Sequence, residues 1–397
     1  MVKKILSVTL KSIAVVILTA LLAIVITSIS AVYHFDTPKP FSGKDIFNPY
    51  STFDATQGWK RAAFHTHTRV EGPLNECEYT PAQTLDFYDL YGYDIVTFSN
   101  HNELTVHPTD STLQVNLYEH GYNLFKYHKL VFGCSSVNRF DHLLPIFASQ
   151  RQWQIDMLSD DADIIVINHP LRTHLTTKSI MQRLRGYHII ELDSGKSTEN
   201  SYWDSALSAG KYSFGIANDD LHRPNRSGAI AVRSTFLQCP SGRYEDIKQC
   251  LTSGCYYAMR TPDYGAGDLV IKQSRNKNLP YIRNIGVSGC APFIALSERA
   301  DSIKVTGQDH TTLLTATATD SIGYAMADSE PYCRFTAYMQ GGEVIYSNPF
   351  ARYDANTSAS PLDTQMPEID TLSTILFNLA VALLAVAVIA LIYKTIW

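Results

Sequence analysis

Two uncharged apolar runs bracket the chain. Residues 13–32 are 20 consecutive uncharged, mostly apolar positions preceded by Lys3, Lys4 and Lys11, about the length that crosses a bilayer as a helix. A second run, residues 372–393, ends in Lys394-Thr395-Ile396-Trp397. Basic flanks stay in the cytoplasm, so both termini are expected inside and the region between the runs outside. A cleaved signal peptide competes for the first run, because Ser28, Ser30 and Ala31 supply small residues near its end. The run is longer than the roughly 7–15-residue apolar core of a signal, so an anchor is expected, with membrane lipid contacted by both helices.

Between the runs the period changes twice. Short apolar runs ending at Phe64, Phe98, Val137, Ile167, Leu192 and Ile216 alternate with helix candidates at 81–91, 152–159, 178–185 and 202–209. That alternation predicts parallel strands with crossover helices, an α/β architecture. Residues 243–253 read as a closing helix ended by Gly254. Beyond Thr261, two-residue alternation in 302–306, 311–318 and 334–338, with turns at Gly286, Gly289 and Gly341-Gly342, predicts a small antiparallel β domain. Residues 34–58, with Pro38, Pro40 and Pro49, have no period and read as a linker. The expected organisation is an anchor at 1–32, a linker at 33–58, an α/β domain at 59–260, the β domain at 261–353, a Ser/Thr/Asn-rich tether at 354–371 and a second span at 372–394.

Composition narrows the function. With 397 residues, 45% hydrophobic and 18% charged, there is ample material for a core. A net charge of -5 leaves no basic face to neutralise phosphates, which argues against nucleic acid as a partner. Seven cysteines form no C-x-x-C pair, so neither a zinc ribbon nor a thioredoxin-type motif is expected; the odd number leaves at least one thiol free.

The chemistry lies where the apolar runs stop. The first runs into His65-Thr66-His67, the run 94–100 into His101, 163–168 into His169, and 212–219 into Asp220 and His222. A lone H-x-H is more often a solvated loop, but parallel strands of an α/β barrel deliver their C-terminal ends to one face, so four such ends make a metal site. Imidazole and carboxylate suit zinc, manganese or iron alike. Arg172, Arg223 and Arg226 adjoin these positions and could pair with an anionic small-molecule substrate, or remain solvated loop charges. Glu191, at the end of I-I-E-L-D, is placed to orient a ligand imidazole. His34, His107, His120, His128, His174, His188 and His310 end no such run and are read as core or surface residues.

The segments H-T-H-T (65–68), S-N-H-N (99–102), D-H-L-L (141–144), N-H-P (168–170) and D-D-L-H (219–222) resemble, in that order, the motifs of the polymerase and histidinol phosphatase (PHP) superfamily. The run at 243–258, P-Y-C-R-F-T-A-Y (331–338) and Y-S-N-P (346–349) are similar to the end of the subgroup that includes carbaryl-type hydrolases. The resemblance covers roughly 59–353. It implies a distorted seven-stranded β/α barrel with two or three metal ions, hydrolysing phosphoesters or, in some branches, amide and carbamate bonds. Carried over, His65, His67, His101, His142, His169, Asp220 and His222 fall on ligand positions, and a further carboxylate is expected near Glu71, with Glu76 and Glu78 competing. Two departures stand out. Asn100 replaces the usual aspartate before His101, and Gly133-Cys134-Ser135 stands where a G-x-E glutamate would bridge two metals.

The expectation is an exported, membrane-anchored hydrolase using one to three divalent ions, with His65, His67, His101, His169, Asp220 and His222 as its catalytic groups and phosphoesters as the favoured substrate. The alternatives are an amide or carbamate hydrolase of the same fold and a degenerate relative that binds without turnover. The topology is checked directly: protease or cysteine-reactive probes added outside intact cells should reach the region 33–371, and protection of that region with accessible termini would reverse the orientation.

Overall fold

The computed structural model describes residues 2–72, 75–194, 200–357, 360–362 and 365–397, with the backbone alone for 2–4, so the Lys3 and Lys4 side chains lie outside the description. Each apolar run lies in a helix, Val2–Ile26 and Thr371–Ile396, although residues 27–32 of the first run fall beyond its helix; both helices are long and apolar enough by length and composition to cross a membrane. They pack on each other. Asp370 caps the second by accepting the Ser373 N–H at 2.9 Å, which satisfies one of the unpaired donors of the first turn. Asn378 is polar within an apolar helix, yet both ends of its amide are engaged: it accepts from Ser30 N–H at 3.1 Å and donates to Ser30 O at 3.0 Å. The exit of the first helix is thereby tied to the flank of the second. A short antiparallel pairing of Tyr33–His34 with Glu368–Ile369 continues the tie.

The strands between the helices form two principal sheets. One runs in the order Leu117–His120, Lys129–Phe132, Ile164–Ile167, Ile189–Ser194, Phe214–Asn218. Its last two junctions are parallel, as crossover helices require. Its first two are antiparallel, against the expectation of parallel strands throughout. The cause at the first junction is length: residues 121–128 are too few for a crossover, which needs a dozen residues or more, so the strands must form a hairpin. Lys60–Ala63 and Ile95–Val96 pair in parallel within the other sheet. Among the described residues, the backbone bridges between the two sheets are the isolated pairs His101↔Glu119 and Thr66↔Leu221, so the described ladders do not close into the seven-stranded barrel.

Lys60–Ala63 continues through Arg233–Leu237, Tyr256–Arg260 and Val344–Ser347 into the antiparallel strands Tyr332–Met339, Ala291–Thr306, Ile282–Ser288 and Thr312–Gly323. Backbone hydrogen bonding therefore runs without a break past residue 260. All seven cysteines are free thiols, six of them buried.

A buried ion pair fastens the β region to the helix Ser201–Ser208. Arg334 donates to both carboxylate oxygens of Asp204, Nε to Oδ1 at 2.8 Å and Nη2 to Oδ2 at 2.6 Å, with both side chains almost wholly covered. Burial pushes the Asp204 pKa up, but Arg334 and His310 together hold the carboxyl below its ordinary value. The pair therefore stabilises the fold above the unfolded carboxylate pKa of about 4, and that contribution disappears as pH falls through the lowered folded value. Replacing Arg334 by Leu leaves the buried carboxylate with the Tyr332 hydroxyl and His310 but without its guanidinium, and should cost about 3–5 kcal/mol at neutral pH. Urea unfolding of the two proteins at pH 7 and pH 3 checks this, and the difference should shrink at the lower pH.

Candidate metal centre

His65 and His67 follow directly on the strand Lys60–Ala63. The two-residue period of extended chain sends both rings to one side while Thr66 turns away, its hydroxyl 3.2 Å from the Tyr88 hydroxyl. The stretch is held by His67 N–H to Leu221 O at 2.9 Å and Leu221 N–H to His65 O at 3.2 Å, which brings the D-D-L-H segment alongside.

The rings converge on Glu119, a residue of the strand Leu117–His120 and almost wholly buried. Its Oε1 lies 3.2 Å from His65 Nε2, 3.2 Å from His128 Nδ1 and 3.3 Å from His169 Nε2; its Oε2 lies 3.2 Å from both His67 Nε2 and His101 Nε2. Asp220 Oδ1 stands 3.1 Å from His65 Nε2 and 3.5 Å from His67 Nε2, while Oδ2 is paired with Arg172. Glu76 Oε2 lies 3.2 Å from both His101 Nε2 and His222 Nε2. Among the described residues, three groups have donor atoms close enough to share one ion each: His65, His67, Glu119 and Asp220; His67, Glu76 and His222; His101, Glu119 and His128. Glu119 and His67 each belong to two groups, so ions held there would be neighbours.

The donors fit a cation for a specific reason. Glu191 Oε1 is 2.9 Å from His65 Nδ1, and since a carboxylate only accepts, Nδ1 carries the proton and a neutral ring turns a lone pair at Nε2 toward Glu119 and Asp220. His65 Nε2 and His67 Nε2 are buried and make no hydrogen bond despite these short approaches. Lone pairs and two buried anions facing one another repel unless a positive charge sits among them. Burial by itself lowers the His65 pKa, but Glu119, Asp220 and Glu191 together drive it well above the ordinary value, so in the ion-free state the positive charge is a proton. A divalent ion would displace that proton. His128 behaves differently: burial pushes its pKa down to about 4 in spite of Glu119, leaving a neutral ring able to act as a ligand.

Glu191 also accepts from His169 N–H at 3.0 Å and Asn218 Nδ2 at 3.0 Å, so one carboxylate orients two of the ligand-bearing segments. His169, Asp220 and Asn102 all have positive φ, of 28°, 52° and 50°. Such conformations cost non-glycine residues about 1–3 kcal/mol each and persist where surrounding contacts over-determine them.

Six of the sequence candidates, His65, His67, His101, His169, Asp220 and His222, are brought together. His142 is not. It is buried against Phe140 and Trp153, with Nδ1 2.5 Å from Thr27 O at the end of the first helix. Glu71 is exposed on the loop closed by Arg69 N–H to Tyr79 O at 2.6 Å, and the carboxylate of that loop facing the rings is Glu76. Ser135 lies elsewhere, its Oγ donating to Asp161 at 2.7 Å; the carboxylate common to two of the donor groups is Glu119. Asn100 is a clamp: its carbonyl accepts from Thr68 N–H at 2.8 Å, and its amide donates to Thr68 Oγ1 at 2.8 Å and Thr105 Oγ1 at 2.7 Å, which an aspartate could not do. Arg223 and Arg226 line an open cleft of about 520 Å³ beside Glu76 and His222.

Glu119 and His128 escape the reading of strand ends for different reasons. Glu119 does stand near the end of a strand, Leu117–His120, but that strand is only four residues long, whereas the strand Lys129–Phe132 runs antiparallel to it, so its start, not its end, faces the rings and carries His128. The available signals were an acid one residue before the end of a short apolar strand, and a histidine immediately before one. Elemental analysis separates the two glutamate positions. Glu119→Gln should lower bound metal by at least one ion per chain, whereas Ser135→Glu should leave the content unchanged.

No protein-family model matches the chain, and no curated protein matches it. Among solved structures the chain is similar to a two-domain protein from Bacteroides vulgatus ATCC 8482 described as containing a predicted PHP-like metal-dependent phosphoesterase, with 14% identity and a TM-score of 0.40, covering 80% of this chain and 100% of that one. It is also similar to the lesion-specific endonuclease of Pyrococcus furiosus, with 12% identity and a TM-score of 0.34, covering 49% of this chain and 56% of the other. At this level of likeness the chemistry is argued from the side chains alone.

Proposed function

We propose that the protein is a membrane-anchored, metal-dependent hydrolase acting on phosphoesters, its site facing the extracytoplasmic side. The observation that carries this is the sharing of Glu119 by five imidazoles, with Asp220 and Glu76 completing three adjoining donor groups. His65, His67, His101, His128, Glu76, Glu119, Asp220 and His222 would hold the ions. Divalent ions so held supply hydroxide at neutral pH and polarise the scissile ester.

The remaining work falls to the chain itself. Arg172 spends part of its donor set on Asp220 and is about one-third exposed, so its other N–H groups can reach an anionic oxygen. Arg223 and Arg226 flank the open side by His222. Three guanidiniums at the mouth favour a phosphate over a neutral amide or carbamate, because the planar fork matches a phosphate edge. Glu191 keeps the proton of His65 on Nδ1 and the lone pair inward. His222, about one-third exposed, would hold its ion at the open side of the centre, its ring fixed by the Nδ1 contact with Asp220 O at 2.8 Å.

Turnover decides between a hydrolase and a binder. The full chain, loaded with manganese or zinc, should hydrolyse bis(p-nitrophenyl) phosphate faster than aryl carbamates or anilides, and His65→Ala should reduce the rate by about 10²-fold or more. Retained metal with no turnover of any of these esters would sink the hydrolase assignment.

A further inference from the structure

The loop 142–150 rests on the ends of the two apolar helices. His142 Nδ1 meets Thr27 O at 2.5 Å, Leu143 N–H donates to Thr27 Oγ1 at 3.4 Å and Gln150 Nε2 to Ser28 O at 3.3 Å. Phe147 packs edge-on against Phe377, ring centroids 6.4 Å apart. Phe377 stands 17 residues before Lys394 in the second helix, a rise of about 26 Å, close to the roughly 30 Å of a bilayer's apolar core. With Lys394 at one boundary, Phe377 and the loop beside it lie at the other. Ile146 and Phe147 are nevertheless exposed, at 46% and 55%.

The same face continues to the metal centre. Leu124 N–H donates to Leu143 O at 3.1 Å, and His174 N–H to Phe125 O at 2.7 Å. Leu124 is 66% exposed and belongs to the connection 121–128, which has Glu119 just before it and His128 at its end. Leu171 and Leu175, both exposed, flank Arg172 on the adjoining segment. Exposed Lys126 and Arg139 lie within this rim, Arg139 O accepting the Tyr122 hydroxyl at 3.4 Å. Apolar side chains interleaved with cations, continuous with two membrane-length helices, are the pattern of a surface seated in a lipid interface.

We infer that the substrate is an amphiphile presented by the bilayer, a phospholipid whose anionic ester headgroup reaches the metal centre while its acyl chains stay in the membrane beside Leu124, Ile146 and Phe147. This rests on the hydrolase assignment. In the reaction a water oxygen bonds to phosphorus, the bond from phosphorus to the ester oxygen breaks, and the leaving oxygen takes the proton.

The test uses the full chain reconstituted in vesicles of phosphatidylglycerol, phosphatidylethanolamine and cardiolipin, with soluble bis(p-nitrophenyl) phosphate as comparator. The triple variant Leu124→Ser, Ile146→Ser, Phe147→Ser should lose about tenfold or more of lipid turnover while hydrolysis of the soluble ester changes less than about twofold. Soluble ester hydrolysed with lipid untouched, or both rates falling together, overturns the lipid substrate and leaves the hydrolase standing. Neither hydrolysed sinks both. Independently of activity, the indole introduced by Leu124→Trp should be quenched by bromine-labelled acyl chains relative to the unaltered protein; no added quenching overturns the membrane seating.

Discussion

A carboxylate with almost no access to water must be neutralised by what surrounds it, and Glu119 is surrounded by five imidazoles. Much of the centre can be derived from that requirement. The rings come from segments far apart in sequence, and backbone bonds hold those segments beside the carboxylate: Asn102 N–H to Glu119 O at 2.9 Å, Ser99 N–H to Thr66 O at 2.8 Å, Asn168 N–H to His128 O at 3.2 Å. The positive φ values at Asn102, His169 and Asp220 are the cost of aiming side chains into one small volume.

Charge balance also explains the division between inner and outer groups. His65, Glu119 and Glu191 are sealed, while Glu76 and His222 remain partly open and border the cleft that Arg223 and Arg226 share. A substrate entering from that side would meet arginines first and the shared carboxylate last. Arg172 joins the two zones, being paired with Asp220 and still partly exposed.

The helices and the centre are linked by short connections. Thr27 touches the loop holding His142 and Leu143; Leu143 pairs with Leu124; and Leu124 lies between Glu119 and His128. His142 thus has a structural task where its motif suggested a ligand. It seats the domain on the first helix, and the aromatic contacts with Phe140 and Trp153 hold the ring there.

What the sequence determined by itself is whatever depends on local period and chemistry. A long uncharged run satisfies its backbone as a helix, and both termini are helical, although the first helix ends at Ile26, six residues before the run does. The pairing of His65 with His67 follows from the two-residue period of extended chain, and the antiparallel strands after residue 280 follow from alternation. What only the tertiary structure decided is direction and partnership. Strand polarity cannot be read from an apolar run, because an apolar run looks the same in either direction; the hairpin at 121–128 reversed the strand Lys129–Phe132 and so brought His128, at its start, to the centre and left Ser135, beyond its end, outside it. Which acid of a loop faces inward is likewise settled by how the loop closes, and the closure at Arg69 and Tyr79 turned Glu76 toward His101 and His222 while Glu71 stayed in solvent.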